Sequence, residues 1–324
     1  LIRPSFPYTK RERRGFHPVR KKETAVKRTM SVFFTLILLL VTLSAGASEE
    51  IQLPAELDAK AFIKVSERDG FWEKTLVVTF PEDRRMLSTN DGLIQGRIAV
   101  NHSAHPGLFK KVCEEMKTRD EVGGKVYMRG IKKRIAMESG VPEEKIAQLG
   151  TAADMKNLAV VTKRYPPFVV TSLVTAGART NALRTGVDEG RHIEGKTGHK
   201  EPHGTVNVIL LTNAELTDGA MARAIITLTE AKTAAFEDLG VTSSYTESVQ
   251  ATGTGTDNAI VVSGVNGPKV TYTGGHSRIG ELIGKAVHEG VMEALQKQNG
   301  FKQIKKSHQN FTRATAIPGA AVKA

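Results

Sequence analysis

Residues 204–284 constrain the fold of this 324-residue chain more than any other stretch. TVNVILLTN (205–213) is a β-branched apolar run and reads as the most buried strand in the sequence. Thr217 or Asp218 then caps a helix that runs to about Leu239 and stops at Gly240. ATGTGTD (251–257) leads into a second strand, NAIVV, and YTGGHSRIGELIG (272–284) turns into a second helix with Ser277 at its N-cap. Strands alternating with helices at this spacing predict an α/β or α+β fold, a mixed central β-sheet flanked by helices in a single domain. Polar residues gather where the apolar elements end, and such folds place their chemistry there.

Those strand ends supply the candidate site residues. The glycines of 251–257 allow left-handed backbone angles that point successive N–H groups at an anion or oxyanion, so Gly253, Thr254, Gly255 and Thr256 are candidate binding residues. The loop is not a P-loop, because no Gly-Lys-Ser/Thr follows. Asp257 opens the next strand and can reach the same concavity. Glu230 is four residues after Ile226 and four before Ala234, on a small apolar row, which makes it a candidate general base. His276 stands just outside a helix N-cap. Asn181 follows the strand PPFVVTSLVTAG (166–177), and Asn213 follows 205–213; both amides are placed to bind a ligand.

The rest of the chain is less specific. AFIKVSE and FWEKTLVVTF read as a hairpin around Asp69-Gly70. Asn90-Asp91-Gly92 marks another turn, followed by a short strand, IAV, ending at Asn101-His102; His102 and His105 read as loop polarity. Residues 107–121 predict a helix, and 122–150 are charged and Met-rich with a short helix from Pro142. The polar loop 186–204 reads as a flap. His199 and His203 are four apart there, but Gly198, Pro202 and Gly204 oppose a helix, so no metal site is assigned. Cys113 is the only cysteine; it forms no internal disulfide and reads as a packed residue.

The net charge of +12 is concentrated in residues 1–29, which carry +8 and leave +4 for the remainder. With the folded part near neutral and no basic-aromatic stripe, no nucleic-acid partner is expected. Residue 1 is Leu, and Met30 opens the apolar run SVFFTLILLLVTLSAGA, which ends in Ala45-Gly46-Ala47. Residues 30–47 have the pattern of a secretory signal peptide cleaved after Ala47, giving an exported or periplasmic protein without a stable membrane anchor. The alternative is an uncleaved membrane anchor. Residues 1–29 are then a basic leader or upstream translation, 55–298 the folded domain, and 299–324 a loosely ordered tail.

Six ordered blocks, LVVTFPEDRRMLSTNDG (76–92), TAADMKNLAVV (151–161), LVTAGARTNALRTG (173–186), 204–241, ATGTGTDNAIVV (251–262) and YTGGHSRIGELIGKAV (272–287), closely resemble the adenosylcobinamide amidohydrolase (CbiZ) family. The resemblance implies hydrolysis of the amide between aminopropanol and the corrin ring of adenosylcobinamide. The products are adenosylcobyric acid and 1-amino-2-propanol, in corrinoid (vitamin B12) salvage or remodelling. It implies a corrinoid small-molecule substrate and no protein-bound cofactor, since cobalt arrives within that substrate. The export signal departs from the cytosolic picture of the family.

Amide hydrolysis needs an activated water or nucleophile, an oxyanion site and a proton for the leaving amine. Asp257 or Glu230 is assigned to activate water and His276 to protonate the amine. Backbone N–H groups of 253–256 are assigned to the oxyanion, and Asn181 and Asn213 to the corrin rim. A covalent route through Thr254 or Thr256 competes. An exported, non-catalytic corrinoid-binding protein and a hydrolase of another amide are the competing functions.

Overall fold

Turn residues with left-handed backbone angles start the sheet. Strand β1 (Ser48–Ile51) lies beside β2 (Lys60–Arg68), which turns through Asp69 and Gly70, at φ 54° and 77°, into β3 (Phe71–Ser88). Two adjacent positive φ values suit the twist of a tight hairpin, as the Asp-Gly pair predicts. A second turn, with Gly92 at φ 75°, leads into β4 (Gly92–Ala104). Helices α1 (Pro106–Glu115) and α2 (Gly123–Ser139) follow, then β5 (Ile146–Thr151), β6 (Ala159–Tyr165), β7 (Phe168–Gly177) and the short β8 (Ala182–Leu183). The last third holds β9 (Thr205–Thr212), β10 (Glu215–Leu216) and α3 (Asp218–Asp238). It continues with β11 (Gly253–Thr254), β12 (Asn258–Val262), β13 (Lys269–Val270) and α4 (Arg278–Asn299). This computed structural model describes residues 48–116, 123–190, 193 and 204–303. The basic leader, the apolar run 30–47, His192, His199, His203 and most of the tail lie outside the described residues.

One mixed sheet runs β1-β2-β3-β12-β9-β7-β6, with β4 on the other side of β3 and β5 beyond it. The pairing of β3 with β4 shifts between Thr79 and Arg84. Before that break β3 pairs with β2, and after it with β12. A break of this kind bends a strand, and the sheet curls until β5 faces β9. An apolar filling closes the curl, including Leu76, Val78, Leu149, Leu173, Ile209, Leu211 and Ile260. On the outer side of β3–β5, helices α1 and α2 cover Val100, Ile98 and Ile146 with Leu108, Val112, Tyr127 and Ile131. On the outer side of β7–β9–β12, helices α3 and α4 supply Met221, Leu228, Phe236, Ile283 and Val287. The architecture is therefore a mixed α/β fold, a curled central sheet flanked by four helices. The described residues form one unit. Among the described residues no helix is long and apolar enough to cross a membrane.

The helix caps are local and follow their sequence signals. Thr217 Oγ1 accepts from Ala220 N at 3.2 Å and Ser277 Oγ from Gly280 N at 3.1 Å, while Gly240 ends the first of these helices at φ 59°.

Three expectations change. The strand expected at IAV is 13 residues long, so Asn101 and His102 lie inside it, 1% and 2% exposed, rather than in a loop. His105 is the N-cap of α1, accepting from Gly107 N at 3.0 Å, and its ring stacks on Phe71. The Met-rich stretch contains a 17-residue helix, α2, whose Tyr127, Ile131 and Ile135 recur every four residues and face the sheet. Pro142 begins only a single 3-10 turn, Glu143–Lys145, because β5 follows at once.

Candidate active site

The filling of the curled sheet changes character at one end. Along β9 the inward residues are Leu211, Ile209 and then Asn207; along β7, Leu173 and then Thr175; along β4, Ala99 and then Asn101. Asn101 Nδ2 donates to Thr175 Oγ1 at 2.8 Å. Asn207 Nδ2 donates to Asn101 Oδ1 at 2.9 Å and to Gly150 O at 2.8 Å. These side chains are at most 1% exposed. Polar groups so deep remain only because each is paired. They form a polar floor between the starts of β9 and β12 and the end of β7.

The Gly/Thr loop lies over that floor, held by Asp257. Its Oδ1 accepts from Val206 N at 2.9 Å and Thr254 Oγ1 at 2.5 Å; its Oδ2 accepts from Thr254 N at 3.0 Å and Lys232 Nζ at 2.5 Å. Four donors fill the acceptor capacity of a carboxylate. Asp257 therefore shapes the loop rather than waiting for a water. Neither Gly253 nor Gly255 has a positive φ, so left-handed geometry is not why glycine is there. A Cβ on Gly253 would lie 2.3 Å from both Asp257 Oδ2 and Lys232 Nζ, whereas on Gly255 it would meet nothing nearer than 3.5 Å. Close approach to the ion pair thus requires Gly253 alone. The N–H of Thr254 is taken by Asp257 and that of Thr256 by Thr254 Oγ1 at 3.3 Å, so the loop is not an open cradle of N–H donors.

Asn181 is 1% exposed and central. Its Oδ1 accepts from Tyr245 Oη at 2.7 Å, which fixes the amide so that Nδ2 donates to Gly204 O at 2.8 Å and to Thr256 Oγ1 at 3.2 Å. Thr256 Oγ1 donates to the same Gly204 O at 2.7 Å. Two side-chain donors thus converge on one amide carbonyl oxygen. Thr205 Oγ1, on the next residue, donates to Thr256 O and lies 3.3 Å from Asn207 Oδ1. The loop bearing Tyr245 is held by Asp188, which accepts from Thr246 Oγ1 at 2.5 Å, Arg184 N at 2.6 Å and Ser243 Oγ at 2.7 Å. Those hydrogen bonds, the Thr246 one foremost, hold the Asp188 carboxyl below the usual carboxylate range.

The fold brings together Asn181, Gly253, Thr254, Gly255, Thr256 and Asp257. It does not bring Glu230, His276 or Asn213 to them. Glu230 is exposed on the far side of α3, in an open groove of about 570 Å³ against α4, with Glu281, Lys285 and His288. His276 is exposed before α4; its neighbour Gly275 lines that groove. Asn213 follows the opposite end of β9, roughly 25 Å along the strand from Thr205. There its Oδ1 accepts from Val169 N at 2.8 Å and its Nδ2 donates to Pro167 O at 2.9 Å. The cause is strand direction. β7 is antiparallel to β9 and β12 parallel to it, so the end of β7 meets the starts of β9 and β12.

The residue types alone did not single out Lys232, Thr205, Tyr245, Asn207 or Asn101. Lys232 had a signal: it follows Leu228 by four on the buried stripe of α3. Asn207 had another, as a polar residue interrupting a buried apolar run. Tyr245 had none. Among the described residues no group of three His, Cys, Asp or Glu side chains could hold a metal ion.

The adenosylcobinamide amidohydrolase family model matches residues 59–303, which include this whole site. The chain belongs to the adenosylcobinamide amidohydrolase family. This is a family of amide hydrolases whose substrate is a corrinoid. Two curated relatives are similar to the chain. An uncharacterized protein of Methanocaldococcus jannaschii, MJ1613, is 46% identical over 248 residues, 73% of this chain and 92% of that protein. A protein of Methanosarcina mazei named adenosylcobinamide amidohydrolase is 28% identical over 170 residues, 50% of this chain and 71% of that one. Among solved structures, the PH0078 protein of Pyrococcus horikoshii covers 80% of this chain and 91% of its own, at 11% identity and a TM-score of 0.39.

Proposed function

We propose that this adenosylcobinamide amidohydrolase family member cleaves the amide joining aminopropanol to the corrin ring of adenosylcobinamide, giving adenosylcobyric acid and 1-amino-2-propanol. One observation carries the reading beyond family membership: Asn181 Nδ2 and Thr256 Oγ1 both aim at a single amide carbonyl oxygen, at 2.8 and 2.7 Å. Donors fixed at that distance stabilise the oxyanion that forms when an amide carbon is attacked. Tyr245 keeps the Asn181 amide in the required orientation, and Asp257 with Lys232 keeps Thr256 in place. Tyr245, 39% exposed, and Val187, 55% exposed, add apolar surface on the two loops that Asp188 ties together, suited to a large macrocycle. Glu230 and His276 take no part in this scheme. No cofactor is assigned, because cobalt enters within the substrate. Export is part of the same proposal, with a processed chain beginning at Ser48; N-terminal sequencing of the secreted protein tests it.

The function is tested by incubating the purified protein with adenosylcobinamide and assaying for free 1-amino-2-propanol. Release supports the hydrolase. Tight binding of an intact ligand identifies a corrinoid carrier instead, and turnover of other amides in its place redirects the substrate.

A further inference from the structure

The carbonyl that Asn181 and Thr256 grip belongs to the chain itself. It is Gly204 O, and the next residue carries a hydroxyl, that of Thr205. A hydroxyl on the residue after a carbonyl can reach that carbonyl carbon by closing a five-membered ring.

The surroundings favour that attack in three further ways. Gly204 is at φ 131°, and a Cβ there would lie 2.8 Å from Gly177 O and 3.0 Å from Asn181 Cβ. Only glycine occupies this backbone region comfortably, so the position admits no other residue. The Thr205 hydroxyl points its hydrogen at acceptor oxygens, Thr256 O and Asn207 Oδ1, which leaves a lone pair for the carbon. The downstream side is pinned, because Val206 N is bonded to Asp257 Oδ1 at 2.9 Å and β9 pairs with β7 and β12. A backbone conformation open only to glycine, two side-chain donors on one carbonyl oxygen and an adjacent hydroxyl are thus assembled around one peptide bond.

We infer that the chain cuts its own Gly204–Thr205 peptide bond and thereby frees Thr205 as an N-terminal nucleophile. Thr205 Oγ1 adds to the Gly204 carbonyl carbon while Asn181 Nδ2 and Thr256 Oγ1 hold the oxyanion. The C–N bond then breaks, and the hydroxyl proton ends on the departing Thr205 nitrogen. This leaves an ester between Gly204 and Thr205 Oγ1. Water adds to that ester and the C–O bond breaks. The products are a Gly204 carboxylate and a Thr205 with free hydroxyl and free α-amine. An N-terminal amine, with a pKa of about 7.7–8.0 when unperturbed, is a suitable base for the hydroxyl beside it. The vacated donors then face the amide oxygen of a substrate. That last use rests on the amide-hydrolase reading; the cut does not.

The experiment is intact-mass measurement and N-terminal sequencing of the purified, folded full chain, followed over time at neutral pH. Expected are a fragment ending at Gly204 and one beginning at Thr205. Thr205→Ser is cut as well, while Thr205→Ala and Thr205→Val stay whole with unchanged circular dichroism. Asn181→Ala and Thr256→Val each slow the cut by about 10²–10³-fold, the usual cost of one oxyanion donor. A wild-type chain that stays whole overturns the inference, as does a Thr205→Ala chain cut at the same bond. The two ideas fail separately. A whole chain that releases aminopropanol removes the cut and keeps the hydrolase; a cut chain that leaves adenosylcobinamide intact does the reverse.

Discussion

Two densely hydrogen-bonded carboxylates, Glu73 and Asp257, differ in what they do. Glu73, on β3, is fully buried under α2: Tyr127 Oη donates to it at 2.5 Å, Arg134 at 2.8 Å and Ser66 Oγ at 3.3 Å. Tyr127 Oη in turn meets His102 Nε2 at 2.9 Å, and His102 Nδ1 meets Thr75 Oγ1 at 2.8 Å. Asp257 has four donors against three, yet its side chain keeps 16% exposure at an open sheet end, beside a glycine and under a loop with exposed residues. Dense hydrogen bonding is therefore common to both, and access separates them. The sealed cluster joins β3 and β4 to α2; the open one shapes the loop that we propose meets the substrate.

The largest expected effect comes from forcing the open pair apart. In Gly253→Ala the new Cβ starts 2.3 Å from both charged atoms, so the ion pair must shift to admit it. Separating a mostly buried pair costs on the order of 3 kcal/mol. Displacing Thr256 with the loop lowers turnover of adenosylcobinamide at least about 100-fold. Gly255→Ala, with ordinary 3.5 Å contacts, is the control and changes stability by under about 0.5 kcal/mol. Equal behaviour of the two variants, in denaturant unfolding and in turnover, would remove Asp257–Lys232 from the site.

The sealed cluster responds to pH instead. Burial lowers the His102 pKa from 6.5 to about 4, with the Glu73 charge opposing and Arg134 assisting. The charged and titratable groups around it are Glu73 on β3, Tyr127 and Arg134 on α2, and Arg68 on β2, whose guanidinium lies 6.0 Å from the Tyr127 ring centroid. Because the folded value is the lower one, the unfolded chain takes up the proton first as pH falls. The His102 contribution is complete above pH 6.5 and is lost between pH 6.5 and about 4. Over that window the loss is about 3 kcal/mol. Burial pushes the Glu73 carboxyl up, but hydrogen bonds from Tyr127 and Arg134 outweigh it and hold the carboxyl below 4.5. Its stabilisation persists until more acidic pH and disappears as pH falls through that lowered value. Urea unfolding at pH 7 and pH 4.5 measures the His102 part, and His102→Gln should flatten it. A slope unchanged in that variant would show the titration lies elsewhere.

A smaller loss follows from Glu73→Gln. Arg134 is 37% exposed and can turn to solvent, so the cost is about 1–3 kcal/mol. Turnover per folded molecule should stay within about twofold, because nothing in this cluster touches the Asn181–Thr256 donors; a larger fall in kcat with unchanged unfolding would link the two clusters.

The same contrast explains what was legible in the residues. Strands and helices with local signals were legible: Asp69-Gly70 for a hairpin, Thr217 and Ser277 for caps, the apolar run for β9. Asn181 and residues 253–257 were legible as a candidate group, and the fold does bring them together, because polar residues at strand ends advertise themselves. Which strand ends meet was not legible, since that depends on the relative directions of β7, β9 and β12, and so Asn213 was grouped with the wrong end of the sheet. Lys232 and Thr205 look ordinary until a partner distant in sequence, Asp257 or Thr256, arrives beside them. His102 looked like loop polarity because β4 carries its polar residues in the half covered by α2 and β5.

The smallest expected effect tests the separation of the sheet end from the helix groove. Glu230 and Lys232 are two residues apart, about 200° around α3, so a helix that delivers Lys232 to Asp257 must turn Glu230 outward. The groove beside Glu230 has its polar groups already partnered: Lys163 with Glu289 at 2.5 Å, Lys285 with Glu281 at 2.6 Å, His288 with Asp238 at 2.9 Å. An exposed carboxylate in such company gains and loses little. Glu230→Gln and His276→Ala should each leave unfolding within about 0.5 kcal/mol of the parent and leave KM and kcat for adenosylcobinamide nearly unchanged. If either lowers kcat more than tenfold in a chain that folds normally, the macrocycle must extend over α3 and α4, and the sheet end alone is too small a description of where the reaction occurs.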